Sequence, residues 1–264
     1  MTIRCATLNL EHGRPARVVP GGTANGAAEF ERAVARIGQI GLDVFTVQEA
    51  DGPARARLLR PGSQHLGHVA TLGHRLAMHH VYAPSAFGYG VGIVSRFPIR
   101  AARYLRLPPI VKPVYRRDDG SVAVRWPEPR VALFGLLQTP SGPLLVGTTH
   151  LDIDQVAAPR QFQIAAKGLA VAARAWGLAA TTPMLLTGDM NMRPENIAQA
   201  VADISADESV PGRVLAAGKT YPHRDPLWQI DHMLGYRMSA ESSFVLDTAI
   251  SDHCGLVADL VVSW

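Results

Sequence analysis

Apolar runs of strand length recur along the chain, and side chains capable of proton or metal chemistry sit at their tips. The runs lie at residues 2–8, 43–48, 75–81, 91–95, 131–138, 144–149, 184–187, 230–234 and 256–262. They are too short for helices and rich in β-branched residues, which predicts strands, and segments rich in Gly, Pro or charge separate them. Helical spacing occurs in fewer places. Phe30, Val34 and Ile37 repeat at i, i+4 and i+7, Phe162, Ala165, Leu169, Ala172 and Trp176 share one side of a second segment, and a third begins after Pro194. Many strands with few intervening helices predict a sheet packed on a sheet with helices outside, rather than a doubly wound parallel sheet. The 264 residues fit one domain, 1–264. With 47% hydrophobic and 18% charged residues, global disorder is excluded.

The tips carry the information. Asn9 follows IRCATL, Glu49 follows VFTVQ, His150 follows LLVGTT, and Asp189 with Asn191 follows MLLTG. Asp231 instead opens DHML, and Asp252 and His253 precede GLVADLVV, so antiparallel strands there would bring all eight to one rim. Singly, each has an ordinary explanation: Asn9 or Asp252 capping a turn, Glu49 opening a loop, Asp189-Met190-Asn191 forming an Asx turn, His150 satisfied at a strand end. Together they are poorly explained that way. Asp189 and Asn191, two apart in an extended segment, would point to one side.

Other features bound the function. Cys5 and Cys254 lie far apart in apolar surroundings, which predicts buried thiols and neither a disulfide framework nor a zinc site. No run approaches the length of a membrane span and no leader pattern opens the chain, so a cytoplasmic location is expected, with no obligate protein partner evident. The net charge of +4 permits an anionic partner without demanding one. Residues 108–129, with five prolines, Lys112, Arg116 and Arg117 around an Asp-Asp-Gly turn, predict a solvated surface hairpin or an arm that grips substrate. Gly88–Ile93 reads as an interior strand and not a dinucleotide loop, because no helical pattern follows it.

ATLNL, VQEA, GVGIVSRFPI, TTHLD, TGDMN, QIDHM and SDHCGLVADL occur in the order of the endonuclease/exonuclease/phosphatase superfamily, which the chain resembles from residue 3 to residue 262. These are metal-dependent phosphoesterases, among them DNase I-like nucleases, exonuclease III-like repair enzymes, sphingomyelinases and inositol phosphatases. The resemblance implies a DNase I-like four-layer α/β/β/α sandwich, two packed mixed β-sheets flanked by helices, with the active site at one edge. It also implies that Glu49 holds Mg²⁺, for which Mn²⁺ can substitute, with Asn9 beside it and Asp252 binding metal directly, through water or at a second site. Asp189 would align or deprotonate water, Asn191 and His150 would hold phosphate oxygens, and His253, oriented by Asp231, would move a proton or donate to the transition state. Arg130 is either structural or reaches phosphate. ATLNL runs on into Glu11-His12-Gly13, a departure from the first motif of several repair nucleases and closer to the family's diverse bacterial members. The expected function is a nuclease contacting nucleic acid through Lys112, Arg116, Arg117 and Arg125. The alternatives are a phosphatase or phosphodiesterase for a small phosphorylated molecule and, opposed by the intact site, a binding protein that has lost catalysis.

Overall fold

The computed structural model describes residues 1–14, 26–53, 66–109, 114–116, 120–124, 128–204 and 209–264. Two six-stranded mixed sheets form the centre. The first contains β1 (Thr2–Asn9), β2 (Val44–Asp51), β3 (His79–Pro84), β4 (Tyr89–Ser95), β13 (Met238–Leu246) and β14 (Gly255–Val262), in the order β13-β14-β1-β2-β4-β3. The second contains β5 (Ile99–Leu107), β8 (Arg130–Thr139), β9 (Gly142–His150), β10 (Met184–Asp189), β11 (Arg213–Val214) and β12 (Asp231–Tyr236), in the order β11-β12-β10-β9-β8-β5. Each sheet has one parallel pair at its middle, β1 with β2 and β9 with β10, and every other pairing is antiparallel.

Helices α1 (Gly26–Gln39) and α2 (His68–Leu76) cover the outer face of the first sheet, where Phe30, Val34, Ile37 and Leu72 pack on Leu8, Phe45 and Val94. Helices α3 (Ala157–Ala175) and α4 (Pro194–Ala202) cover the second, where Phe162, Leu169 and Ile197 pack on Phe134, Leu145 and Leu186. A third apolar cluster, including Val44, Ile93, Leu133, Val146, Leu185 and Leu256, fills the space between the sheets. The result is four layers, α/β/β/α, as predicted. Among the described residues no helix is long and apolar enough to cross a membrane. Both cysteines are buried free thiols.

The alternation of side chains explains where chemistry collects. In β1 the row facing the other sheet is Ile3, Cys5, Thr7, Asn9; in β9 it is Leu144, Val146, Thr148, His150; in β10 it is Leu185, Thr187, Asp189. Each row passes from aliphatic to threonine to a polar end. The middle step is a buried polar layer joining the sheets: Thr46 Oγ1 lies 2.7 Å from Thr187 Oγ1, and Gln48 Nε2 donates to Thr7 Oγ1 and Thr148 Oγ1, both at 3.0 Å.

Two readings of the sequence need correction, and a third segment is described only in part. The run at 75–81 is not one strand: it straddles the end of α2, a left-handed turn at Ala77 (φ 53) and the start of β3 at His79. Strands β5 and β13 were not expected, because both lie at sheet edges with mostly exposed side chains and therefore lack an apolar run. The 108–129 segment holds a two-stranded ribbon of β6 (Val114–Arg116) and β7 (Val122–Val124). Lys112, Arg117, Arg125 and the Arg116 side chain lie outside what the structure describes.

Candidate active site

The strand ends meet at one edge of the sandwich. Asn9 and Glu49 come from the parallel pair of the first sheet, His150 and Asp189 from that of the second, and the antiparallel neighbours β12 and β14 begin at the same edge with Asp231 and just after His253. Register places Asp189 opposite both His150 and Asp231. All eight rim residues expected from the sequence are drawn to this edge, though the local geometry differs from expectation at Glu49 and Asn191.

Glu49 reaches the gap between the sheets only because β2 is irregular there. Simple alternation would send it outward with Phe45 and Val47. Gln48 and Glu49 instead oppose one residue of β4 in a bulge, and Glu49 takes the left-handed φ of 47. A non-glycine residue in that region is uncommon and marks a position the surroundings hold. The carboxylate so turned accepts from Asn9 Nδ2 at 3.3 Å, while the same nitrogen donates to Asp189 Oδ2 at 3.0 Å. One amide therefore ties the two sheets' carboxylates together.

Beside Asp189 lies a charge pair. His253 Nδ1 is 2.8 Å from Asp231 Oδ2, and its Nε2 faces Asp189 Oδ2 at 3.7 Å and Asp252 Oδ1 at 3.9 Å. Burial opposes charge on His253, but Asp231, Asp189 and Asp252 together outweigh it and raise the imidazole to about 10. Burial is also the main force on Asp189, whose carboxyl rises to about 6 although His253 and the donors Asn9 and Asn191 pull the other way. His150 behaves oppositely. Burial, then the adjacent Arg130, hold it well below the ordinary histidine range. Arg130 Nη1 lies 2.9 Å from His150 Nδ1 and can only donate, so Nδ1 accepts and the ring carries its hydrogen on Nε2, which is 3.5 Å from Asp189 Oδ2.

Arg130 sits behind His150, 4% exposed, with Nη2 2.8 Å from Glu128. Asn191 departs from the expected extended geometry: the chain turns at it (φ 49), its backbone N–H donates to Asp189 Oδ1 at 3.0 Å, and its Nδ2 donates to the Leu151 carbonyl at 2.9 Å. The Asx turn and the site residue are the same feature. Asp252, with its side chain 46% exposed, neighbours Glu11, whose Oε2 accepts from the Asp252 N–H at 3.1 Å. Burial and then Asp252 raise the Glu11 carboxyl.

The residues suit a hard cation. Glu49 presents an oxygen donor at the open edge, 23% exposed, within an excess of carboxylates. Asp189, Asp231 and His253 also approach closely enough to share an ion, with ligand atoms within 4.8 Å of one another. There, however, the imidazole nitrogen and the Asp231 oxygen are already bonded to each other, which favours proton holding over metal binding. Sequence reasoning missed His12, Asp51, Tyr89 and Tyr221, all at this edge. His12 Nδ1 lies 2.7 Å from Asp51 Oδ1, and the Tyr221 ring packs 4.9 Å from that of His253. The available signal was positional, since His12 and Asp51 also follow strand tips. A cavity of about 490 Å³ lined by Val201, Ile204, Tyr236 and Met238 lies at the far end of β12 from Asp231, away from this chemistry.

Comparison with known proteins agrees with the geometry. Residues 6–253 match the model described as the Endonuclease/Exonuclease/phosphatase family. No curated protein matches the chain in sequence. Among solved structures, an endonuclease/exonuclease/phosphatase from Beutenbergia cavernae is 20% identical with a TM-score of 0.66, covering 99% of this chain and 72% of that one. The mannosyl-6-phosphatase of Bacteroides thetaiotaomicron is 18% identical with a TM-score of 0.63, over 98% and 99%. The human Nocturnin catalytic domain with bound sulfate is 15% identical with a TM-score of 0.65, over 99% and 95%. At these identities the likeness is one of fold.

Proposed function

Because this chain belongs to the endonuclease/exonuclease/phosphatase family, whose members hydrolyse phosphate esters, we propose that it is a Mg²⁺-dependent nuclease that cleaves phosphodiester bonds by attack of water. The observation that carries the chemistry is Asn9 Nδ2 bridging Glu49 and Asp189 beside the His253–Asp231 pair. Glu49 would hold the cation with Asn9 alongside, and the cation would supply positive charge to the phosphate.

The chain's own groups do the rest. Asp189, its carboxyl raised to about 6, is poised near neutrality to take the proton of the attacking water at Oδ2. His253, held charged by Asp231, donates from Nε2 to the phosphate oxygens as negative charge grows on them. His150, uncharged and with its hydrogen on Nε2, donates without adding net charge. Asn191 keeps a second amide hydrogen for phosphate beyond the one given to Leu151.

The choice of nucleic acid rests on the wall beside His253. Tyr221 and Trp228 stack at 6.1 Å with planes 20° apart, and Arg193, two residues after Asn191, lies over Trp228 at 5.3 Å. Trp228 remains 41% exposed, offering an aromatic and cationic surface to a base and its phosphate. The second reading, a phosphatase for a small molecule, is favoured by likeness to the mannosyl-6-phosphatase. Plasmid DNA, a nitrophenyl diester and a nitrophenyl monoester, each with Mg²⁺ and with chelator, separate the two. Cleavage of DNA and diester supports the nuclease; intact DNA beside a hydrolysed monoester refutes it.

A further inference from the structure

We propose that His12 is a metal ligand: its Nε2 and Glu49 Oε2 are two arms of one cation site, with Asp51 buttressing the imidazole, and the site, which accepts Mg²⁺ through its oxygens, therefore binds a borderline transition cation such as Mn²⁺ more tightly. This rests on the reading that Glu49 holds a cation and adds a nitrogen donor to it.

The backbone is committed to presenting this side chain. Glu11, His12 and Gly13 take positive φ in succession (41, 61 and 69), and two of the three are not glycine. Such a run persists only where surroundings over-determine it. Here Glu11 N–H donates to Asn9 Oδ1 at 3.0 Å, Gly13 N–H to the Leu10 carbonyl at 2.6 Å, and Glu11 Oε2 accepts from Asp252 N–H. The turn follows directly on the strand tip that carries Asn9.

The ring geometry is that of a ligand with its outer support. Asp51 Oδ1, 2.7 Å from Nδ1, accepts as a carboxylate, so Nδ1 carries a hydrogen and the lone pair of the neutral ring is on Nε2. That Nε2 points at Glu49 Oε2 across 3.6 Å. When the ring is neutral, two acceptors face each other there, an arrangement that a cation between them resolves. Donors at about 2.0–2.2 Å from one ion lie at most about 4.4 Å apart, and the observed separation falls within that span. A ligating histidine commonly gives its other N–H to a carboxylate, which fixes tautomer and ring plane. The plane is further set by Tyr89, edge-on at 5.0 Å and 77°. His12 and Glu49 side chains are 15% and 23% exposed, so an ion can reach both. An imidazole nitrogen suits transition cations better than Mg²⁺, which favours all-oxygen shells.

Calorimetric titration with MnCl₂ and with MgCl₂, without substrate, tests this on the wild type, His12→Ala, His12→Gln, Asp51→Asn and Glu49→Gln, with circular dichroism checking the fold. The wild type is expected to bind Mn²⁺ more tightly than Mg²⁺. His12→Ala, or His12→Gln should the alanine variant fail to fold, should lose about tenfold or more in Mn²⁺ affinity, while Mg²⁺ changes by less than about threefold, and Asp51→Asn should fall between, in the range typical of outer-shell supports. Unchanged Mn²⁺ affinity in folded His12 variants, or equal losses for both ions, would overturn the assignment of His12 alone. Wild-type binding of both ions by Glu49→Gln would instead overturn the underlying cation site.

Discussion

Asn9 donates from one nitrogen to carboxylates of two different sheets, so the residues around it act as a unit rather than as independent contributors. Glu49→Gln and His253→Ala should each lower turnover by about 10²–10⁴ while leaving the far-ultraviolet circular dichroism unchanged, because each removes a group aimed at charge or protons and not at packing. Initial rates on a nitrophenyl diester check this. The His253 pair also has a signature in stability. A histidine raised from 6.5 to about 10 on folding contributes stability that is complete below pH 6.5 and lost as pH climbs through 10. In chelator, His253→Gln should therefore be destabilised relative to wild type at pH 6 and much less so at pH 10; an equal gap in urea unfolding at both pH values would contradict the pairing. These residues were legible in sequence because each ends or precedes an apolar strand. His12 carried only its place just past a strand tip, since a histidine in a short polar turn has no periodic signal and gains its meaning from Asp51 and Glu49 beside it.

At the scale of elements, precision comes from the polar layer beneath the site and from two backbone irregularities. Gln48 and four threonines hold the sheets in a fixed offset, one inward-facing step below the reacting groups on each strand. Gln48→Leu would leave buried hydroxyls without their partner, costing about 1–3 kcal/mol in urea unfolding. Stability equal to wild type would show the layer to be idle. Gly188 is required where it stands: its φ is 138, and a Cβ there would run into the Thr149 carbonyl of the adjacent strand. Gly188→Ala should force β9 and β10 apart, lowering the thermal midpoint and turnover together. Neither the bulge that turns Glu49 inward nor the turn at Asn191 follows from alternation of apolar residues. Strand existence was thus readable while its local breaks were not, and the exposed edge strands β5 and β13 escaped for want of any buried row.

Across the whole molecule the two sheets repeat one plan: a parallel central pair flanked by an antiparallel strand that starts at the same edge. The chain has no matching sequence repeat, because different side chains fill the equivalent rows. That plan gathers chemistry from residues as distant as 9 and 253 at one rim. A nuclease reading further requires binding that weakens steeply with salt, since each phosphate contact releases counterions. Arg193→Ala should weaken binding to single-stranded DNA and flatten that salt slope by about one, as fluorescence anisotropy would record. The most direct test of the account is conversion of supercoiled plasmid by wild type and by Asp189→Asn, with Mg²⁺ and with chelator. Wild type with Mg²⁺ should nick and linearise the plasmid, chelator should stop it, and Asp189→Asn should be slower by about 10²–10⁴. Cleavage that persists in chelator, or that Asp189→Asn performs at the wild-type rate, would contradict it.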